Sequence, residues 1–377
     1  MMWRVWRREW AYLWREPWDF CLLILAPLLV IVVFASMFYA GKGEHLPIAF
    51  VDQDQSQLSR SIYKHLSLNH TLDIALQTTS MGEVEQAINR TDVWGYVLIP
   101  QGAEAKLVAS QDPNIAIAFN QSYFSIGNSI ATAMQVSTVE AMADFVRSEY
   151  LRQNLLAIHA PMPSVKVSML YNPDMSYEMF LEPFVVPAIL HLLLCCCVAF
   201  AIGQELKRGT TQTWLQAASL PQALFGKILV YVAVFWLWTV LWMVWLVGIR
   251  GWFVAGSLPL LLLGLCLFYL AYALIAAALV LLTQDMARTF GVLAVYGGSS
   301  MSFAGVTLPL NNAPWFTQFW SNIIPYTPYI RLQTEQWVVG SPVITSLPHL
   351  AVLLLYCLLF AWVAHKGMQR LRKKEGA

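Results

Sequence analysis

WRREWAYLWREPWDFCLLILAPLLVIVVFASMFY, residues 6–39, holds two patterns back to back. Counting from Trp3, large apolar residues fall at 3, 6, 10, 13 and 14, the i, i+3, i+4 spacing of one helical face. Arg4, Arg7, Arg8 and Arg15 fall on other faces. Across 20–39 there follow 20 uncharged, mostly apolar residues, the length a helix needs to cross the hydrocarbon of a bilayer. Trp favours the membrane–water boundary, and Arg favours its cytoplasmic side. The pattern predicts a helix lying in the cytoplasmic interface (1–19), turned at Glu16-Pro17 into a first membrane-spanning helix (20–40). That apolar run is too long for a signal peptide, and no small-x-small cleavage site follows it, so an uncleaved span is expected.

Composition extends this reading to the whole chain. Hydrophobic residues make up 58%, charged residues 12%, and the mean hydropathy is +0.55, which places the chain among polytopic membrane proteins. Further apolar segments at 184–202, 224–247, 258–282, 289–306 and 346–364 are each long enough to cross, giving six expected spans. The segment at 289–306 is the least apolar, but its Gly and Ser residues suit close helix packing. The short connections carry most of their basic residues on one side, at the N-terminal arm, Lys207, Arg208 and Lys227, then Arg288, then a basic tail at 366–377, against Arg250 and Arg331 on the other. By the positive-inside rule both termini are cytoplasmic.

The polar region at 41–179 is then outside. Residues 40–179 hold 8 basic and 14 acidic residues, a net of −6. Strand-like segments at 46–52, 72–77, 93–100 and 114–120 alternate with helical ones, and 165–172 returns as an extended segment. Ser56 is a candidate helix cap, and Ser80 with Glu83 has capping-box spacing. A long helix is expected over 123–156, with Val136, Val139, Met142, Ala143, Val146 and Tyr150 on one stripe that either packs on the sheet or docks a partner. The alternation implies an inserted α/β domain with a partly parallel sheet. It contains no HExxH, GxSxG or paired-carboxylate arrangement, and His45, His65, His70 and His159 are scattered. Asp52 and Asp54 are too few acidic ligands for an oxygen-ligand metal loop. All six cysteines lie in apolar segments, so neither a disulfide framework nor a metal site is expected.

The stretch QELKRGTTQTWLQAASLPQALFGKILVYV (204–232) resembles the signature loop of ABC-2-type export permeases. In that family an E-x-x-x-G-T leads through an amphipathic stretch and a Ser-Pro-like turn to a Gly-Lys opening the third span. Here these are Glu205, Gly209 and Thr210, then Ser219-Leu220-Pro221, then Gly226-Lys227. YNPD (171–174) and FVVPAIL (184–190) resemble the family's approach to the second span, with Ala188 where Gly is usual. FAGVTLPLNNAPWFTQFWSNIIPYTPYI (303–330) resembles its F-S-G-x-x-x-P segment, and REWAYLWREPWDF its opening, with Glu16 in place of Asp. The four motifs occur in the family's order across essentially the whole chain.

The resemblance implies a permease subunit of an ATP-driven exporter in a bacterial inner membrane. It implies a coupling interface for the ATPase at Glu205, Lys207, Arg208, Gly209, Thr210, Trp214 and Pro221, with Glu205, Lys207 and Arg208 forming ion pairs across it. It makes the N-terminal segment an elbow helix (Arg7, Glu9, Trp10, Trp14, Arg15) that also touches the ATPase. Within 307–330, Pro309, Pro314, Pro325 and Pro328 would break one continuous helix, and the family places here short helices that dip in from outside without crossing. The sequence has no G-x-x-x-x-G-K-[ST], so ATP and Mg are expected on separate ATP-binding cassette subunits. A second copy or a related permease would complete the pathway, and a periplasmic adaptor is a further candidate partner. No feature points to nucleic acid. The alternative within this topology is a mechanotransmitting subunit or receptor whose outside domain acts on a periplasmic partner. Trp236, Trp238, Trp242 and Trp245 suit an apolar or amphiphilic cargo and equally suit lipid contact.

Overall fold

The computed structural model describes residues 2–38, 43–109, 111–120, 124–152, 176–306, 310–311 and 313–375. In chain order, α1 (Met2–Leu13) and α2 (Pro17–Met37) are followed by β1 (Leu46–Asp52), α3 (Gln57–Ser67), β2 (Leu72–Thr78), α4 (Met81–Asn89), β3 (Gly95–Ile99), α5 (Ala103–Val108) and β4 (Ala116–Phe119). Next come α6 (Phe124–Arg152), α7 (Tyr177–Lys207), α8 (Thr211–Gln216), α9 (Leu220–Gly248), α10 (Leu258–Thr283), α11 (Met286–Gly298) and α12 (Ser300–Phe303). The chain closes with α13 (Trp315–Asn322), α14 (Tyr326–Gln333), a π-helical turn (Thr334–Val339) and α15 (Val343–Glu375). The elements form two compact units, Met1–Tyr39 with Glu178–Ala377, and Ala40–Tyr177.

In the helical unit, five helices among the described residues are long and apolar enough to cross a membrane: Pro17–Met37, Glu178–Lys207, Leu220–Gly248, Leu258–Thr283 and Val343–Lys374. The segment expected to span at 289–306 is not one such helix. It is built as α11 and α12, interrupted at Ser299 in the run Gly297-Gly298-Ser299-Ser300, where poor helix formers follow one another. Its contacts, continued by those of α14, nevertheless follow α7 from Phe200 to Phe184. Phe290 meets Phe200 with ring centroids 4.9 Å apart, Gly297 packs on Leu192, and Tyr326 donates to the Phe184 carbonyl at 2.7 Å. The chain therefore returns between α10 and α15 to the end of the bundle where α7 begins. α15 then runs parallel to α10, with Cys357 beside the Leu267 carbonyl and Gly367 against Leu281.

Two boundaries differ from expectation. Residues 366–375, expected as a separate tail, continue α15 as helix, since Lys, Arg, Gln and Met are good helix formers. The prolines at 314 and 325 open helices: each occupies the N-cap of a short helix, and Pro328 lies in the first turn of α14. A missing N–H is harmless there, because first-turn N–H groups have no intrahelical acceptor. Pro309 lies outside the described residues, as do YNPD and the segment expected to be extended at 165–172.

The second unit is a four-stranded sheet in the order β2-β1-β3-β4, with β1 parallel to β2 and β3, and β4 antiparallel to β3. β1 is central, and LPIAFVD is buried on both faces, as a near-continuous apolar run requires. α3 and α6 pack on one face through Leu58, Ile62, Ile130, Met134 and Phe145. On the other face, Val84 of α4 meets Ala49 and Val51. The packed stripe of α6 is thus Ile130–Met134–Ala141–Phe145, joined by Met142 and Val146 of the expected stripe, whose Val136, Val139 and Ala143 are exposed. Ser56 caps α3 by accepting from the Ser59 N–H at 3.1 Å. Ser80 stands at the N-cap of α4 without making the capping-box bond, because Thr78 takes the Glu83 carboxylate and accepts from the Ser80 N–H.

The Asp52 and Asp54 carboxylates are committed to local bonds. Asp52 accepts from the Asp54 and Gln55 N–H groups and from the Ser59 hydroxyl. Asp54 reaches the N-terminus of α5, accepting from Gly102 N at 2.6 Å and Glu104 N at 3.0 Å. Burial pushes the Asp54 carboxyl's pKa up, but these N–H donors together with Ser56 outweigh it and hold it below the usual carboxylate value. A lowered folded pKa means the stabilisation is complete above the unfolded value, near 3.8, and is lost as pH falls through the folded one. Asp54→Ala is expected to weaken protection of the α5 amides by about 0.5–1 kcal/mol at pH 7, kept small by partial exposure to water. Hydrogen exchange, corrected for intrinsic rates, should show that difference vanish on acidification; a pH-independent difference would remove the carboxylate from the account.

Candidate coupling site

At the end of the helical unit where α7 stops and α9 starts, four charged side chains from three segments meet. Lys227 lies in the first turns of α9, and its Nζ is 2.6 Å from Glu9 Oε2 on α1 and 3.0 Å from Glu205 Oε1 at the end of α7. Arg8 Nη2 donates to both Glu205 oxygens at 2.8 and 2.9 Å. The Tyr231 hydroxyl donates to Glu9 Oε1 at 2.7 Å, and the Thr210 hydroxyl donates to Glu205 Oε2. Glu9 and Lys227 are each 3% exposed and Glu205 7%. The set carries two cations and two anions, so burial costs desolvation but leaves no net charge.

Local sequence explains how the three segments come so close. α1 buries Val5, Glu9 and Leu13, an i, i+4, i+8 stripe laid against α9. Gly226 makes the approach possible: a Cβ there would sit 2.9 Å from Val5 Cβ and 3.1 Å from the Met2 carbonyl oxygen. The Gly-Lys pair therefore works as a unit, the glycine admitting α1 and the lysine pairing with its carboxylate. Gly209, at φ +66°, turns the chain from α7 into α8, a conformation that disfavours any side chain. Thr211 bonds the Glu205 carbonyl at 3.1 Å, and Trp214 donates to the Ala223 carbonyl at 3.1 Å with Lys227 over its ring.

Sequence-predicted residues divide between the two faces of this loop. Lys207, Arg208, Gly209 and Pro221 are exposed. Glu205 and Trp214 are not surface groups, which corrects the expectation that Glu205 forms ion pairs across a subunit interface: its oxygens are taken by Arg8, Lys227 and Thr210. Arg208 pairs instead with Glu16 at 2.8 Å and lies over the Tyr12 ring, tying the loop to the α1–α2 turn. Burial, reinforced by the charge of Asp19, pushes the Tyr12 phenol up and keeps it neutral. On α1 and the turn after it, Arg7, Trp14 and Arg15 are exposed and Trp10 is half-buried, while Glu9 belongs to the buried set. The Trp face is only partly packed: Trp6 and Trp10 are half-buried against the helical core, while Trp3 and Trp14 are 65% and 72% exposed. Arg8, Lys227 and Tyr231 were not legible as partners of Glu9 and Glu205. The available signal was a lysine three turns or less into an otherwise uncharged span, a position that demands a counter-charge.

At the opposite end, polar side chains repair a broken helix. Pro187 has no N–H to give the Pro183 carbonyl, and Gln333 Nε2 of α14 donates to that carbonyl at 2.6 Å. One residue on, Tyr326 donates to Phe184. Arg250 holds Glu178 at 2.6 Å, and Trp242 donates to Glu182 at 3.0 Å. The FVVP motif and the proline-rich segment before α15 are therefore two halves of one contact.

A family model described as ABC-2 family transporter protein matches residues 17–366. The chain belongs to the ABC-2 family. The permease is also similar to the linearmycin resistance permease protein LnrN of Bacillus subtilis (strain 168), at 22% identity over 107 residues. That match covers 28% of the permease and 27% of the relative, so the permease spans about a quarter of the length of the curated relative it matches. It is a membrane protein with transmembrane helices, and its family is one of transport subunits rather than enzymes.

Proposed function

We propose that the permease is the membrane subunit of an ATP-driven exporter, with hydrolysis supplied by separate ATP-binding cassette subunits docking on the loop at 207–216. One observation carries this: an exposed face, with Lys207, Arg208, Thr213 and Gln216 on it, is braced from behind by buried Glu9, Glu205 and Lys227 and the half-exposed Arg8 that joins them. A push on α8 is then delivered at once to α7, α9 and α1, three elements that would otherwise move separately. With the basic loops inside, both termini are cytoplasmic, α11 and α12 make the fifth of six crossings, α13 and α14 enter from outside without crossing, and the α/β unit is extracytoplasmic. The protein sits in a bacterial inner membrane, and a second copy or related permease completes the pathway. A relative named for resistance supports outward movement of a harmful compound.

The test co-expresses the permease with a candidate ATP-binding cassette subunit. The two should co-purify and catalyse nucleotide-dependent uptake into inverted vesicles. Lys207→Glu with Arg208→Glu should reduce co-purification about ten-fold or more, because reversed rim charges meet like charge. Undiminished binding by that double variant would place the ATPase elsewhere.

A further inference from the structure

The two basic residues of the outer connections are held differently. Arg250 is paired with Glu178 at 2.6 Å. Arg331, on α14, is exposed and has no hydrogen-bond or carboxylate partner among the described residues. Glu335, four positions on, is turned elsewhere: it accepts from the Ser346 hydroxyl at 2.6 Å and lies 3.2 Å from His349 Nε2. Arg331 instead lines a cavity of about 500 Å³ with Leu310, Asn311 and the α13 residues Gln318, Ser321 and Asn322. Gln318 and Ser321 already bond the Ala313 carbonyl and Thr327. The Asn311 and Asn322 amides are exposed and, like Arg331, without a side-chain partner among the described residues, and no acidic side chain is among the described lining residues.

The cavity is level with the spanning helices. The Asn322 carbonyl accepts at 2.8 Å from Tyr356, midway along the apolar run 346–364 of α15, and Leu332, next to Arg331, packs on Gly264 within α10. An arginine at such a level faces protein or a polar cavity, because hydrocarbon does not solvate it. At 100° per residue along α13, Gln318, Ser321 and Asn322 share one arc, and Trp315, Phe316 and Phe319 share the adjacent one with their rings exposed. A fixed cation among neutral amides, bordered by apolar rings, complements an oxyanion carried on an apolar body.

We propose that this cavity binds the carboxylate or phosphate end of a single-chain anionic amphiphile, with Arg331 on the oxyanion and the Asn311 and Asn322 amides donating beside it. The inference rests on the exporter reading only in making that ligand a cargo; binding itself needs neither nucleotide nor ATPase.

The test is photolabelling of the full-length permease, alone in phosphatidylcholine nanodiscs, by dodecanoic acid carrying a diazirine on its chain, followed by peptide mapping. Label should concentrate in the peptides that carry α13 and α14. Excess dodecanoate or dodecyl phosphate should remove it, and dodecyltrimethylammonium should not. Arg331→Gln, a change at an exposed position, should lower this labelling about ten-fold through loss of a charge-assisted bond, and Arg331→Lys should retain most of it. Labelling indifferent to Arg331→Gln, or displaced as well by dodecyltrimethylammonium, would overturn the proposal. So would inorganic phosphate competing as well as dodecyl phosphate, which would make this a simple anion site. Phosphatidylglycerol in the discs, displacing the label at a lower mole fraction than dodecyl phosphate, would assign the site to a lipid headgroup and overturn it too. Specific labelling without transport by the co-expressed pair would remove the exporter reading and leave the site standing; transport without labelling here would do the reverse.

Discussion

Lys227→Met is expected to cost the permease about 3–5 kcal/mol, because it leaves Glu9 and Glu205 buried with Arg8 as their one remaining cation. The native set balances two cations against two anions, and the substitution leaves one against two. Adding Glu9→Gln restores the balance, with Arg8 on Glu205 and a neutral amide beside Tyr231. The double variant should therefore be more stable than Lys227→Met alone, a sign that simple loss of contacts could not produce. Unfolding midpoints in mixed micelles would measure it. If the second change added to the damage, the pair would be contributing by packing and not by charge. The same two variants separate stability from coupling. In the reading proposed above, the double variant regains the fold but not the ion pair between α9 and α1, so ATP hydrolysis by the partner should proceed with transport reduced.

Much of this architecture could be read from the residues. Length and hydropathy mark α2, α7, α9, α10 and α15, because a bilayer imposes a minimum apolar length that few other constraints mimic. The segment at 289–306 was marked as a span, but its division into α11 and α12 was not, since Gly297 to Ser300 satisfies neither a hydropathy rule nor a helix rule, and its place is set by what Phe290, Gly297 and Ser300 touch. The strands were legible by their apolar runs, and Ser56 by its cap. The stripe on α6 was legible only at Met142 and Val146, because a 29-residue helix carrying small and apolar residues on several sides offers more than one candidate face. The coupling site shows the same division. Its motif residues could be placed on a loop between two spans, but a glutamate reads alike whether it faces solvent or a lysine 22 positions later in the chain. Burial depends on contacts remote in sequence: Glu205 meets Arg8 across 197 positions and Lys227 meets Glu9 across 218.

The paired prolines of α7 carry the second large effect. Gln333→Leu should destabilise the permease by about 1–3 kcal/mol, since the Pro183 carbonyl, denied an N–H by Pro187, would be left in an apolar interior with no donor. Loss of the glutamine's own Oε1, which is buried with no partner among the described residues, offsets part of this and favours the lower end of the range. Pro187→Ala supplies the missing backbone N–H and so makes Gln333 redundant. On that background Gln333→Leu should cost much less, giving a coupling of about 1 kcal/mol or more in a double-mutant cycle. Additive losses would mean that Gln333 acts through packing in α14 and that the carbonyl finds another donor. The cycle also bears on motion. A helix whose broken hydrogen bond is completed by a side chain from α14 can hinge at Pro187 only when that bond opens. If the cycle shows strong coupling, any movement of the Pro187 kink during transport must displace α14, and with it Tyr326 and the Phe268 ring against which Tyr329 is stacked at 4.2 Å.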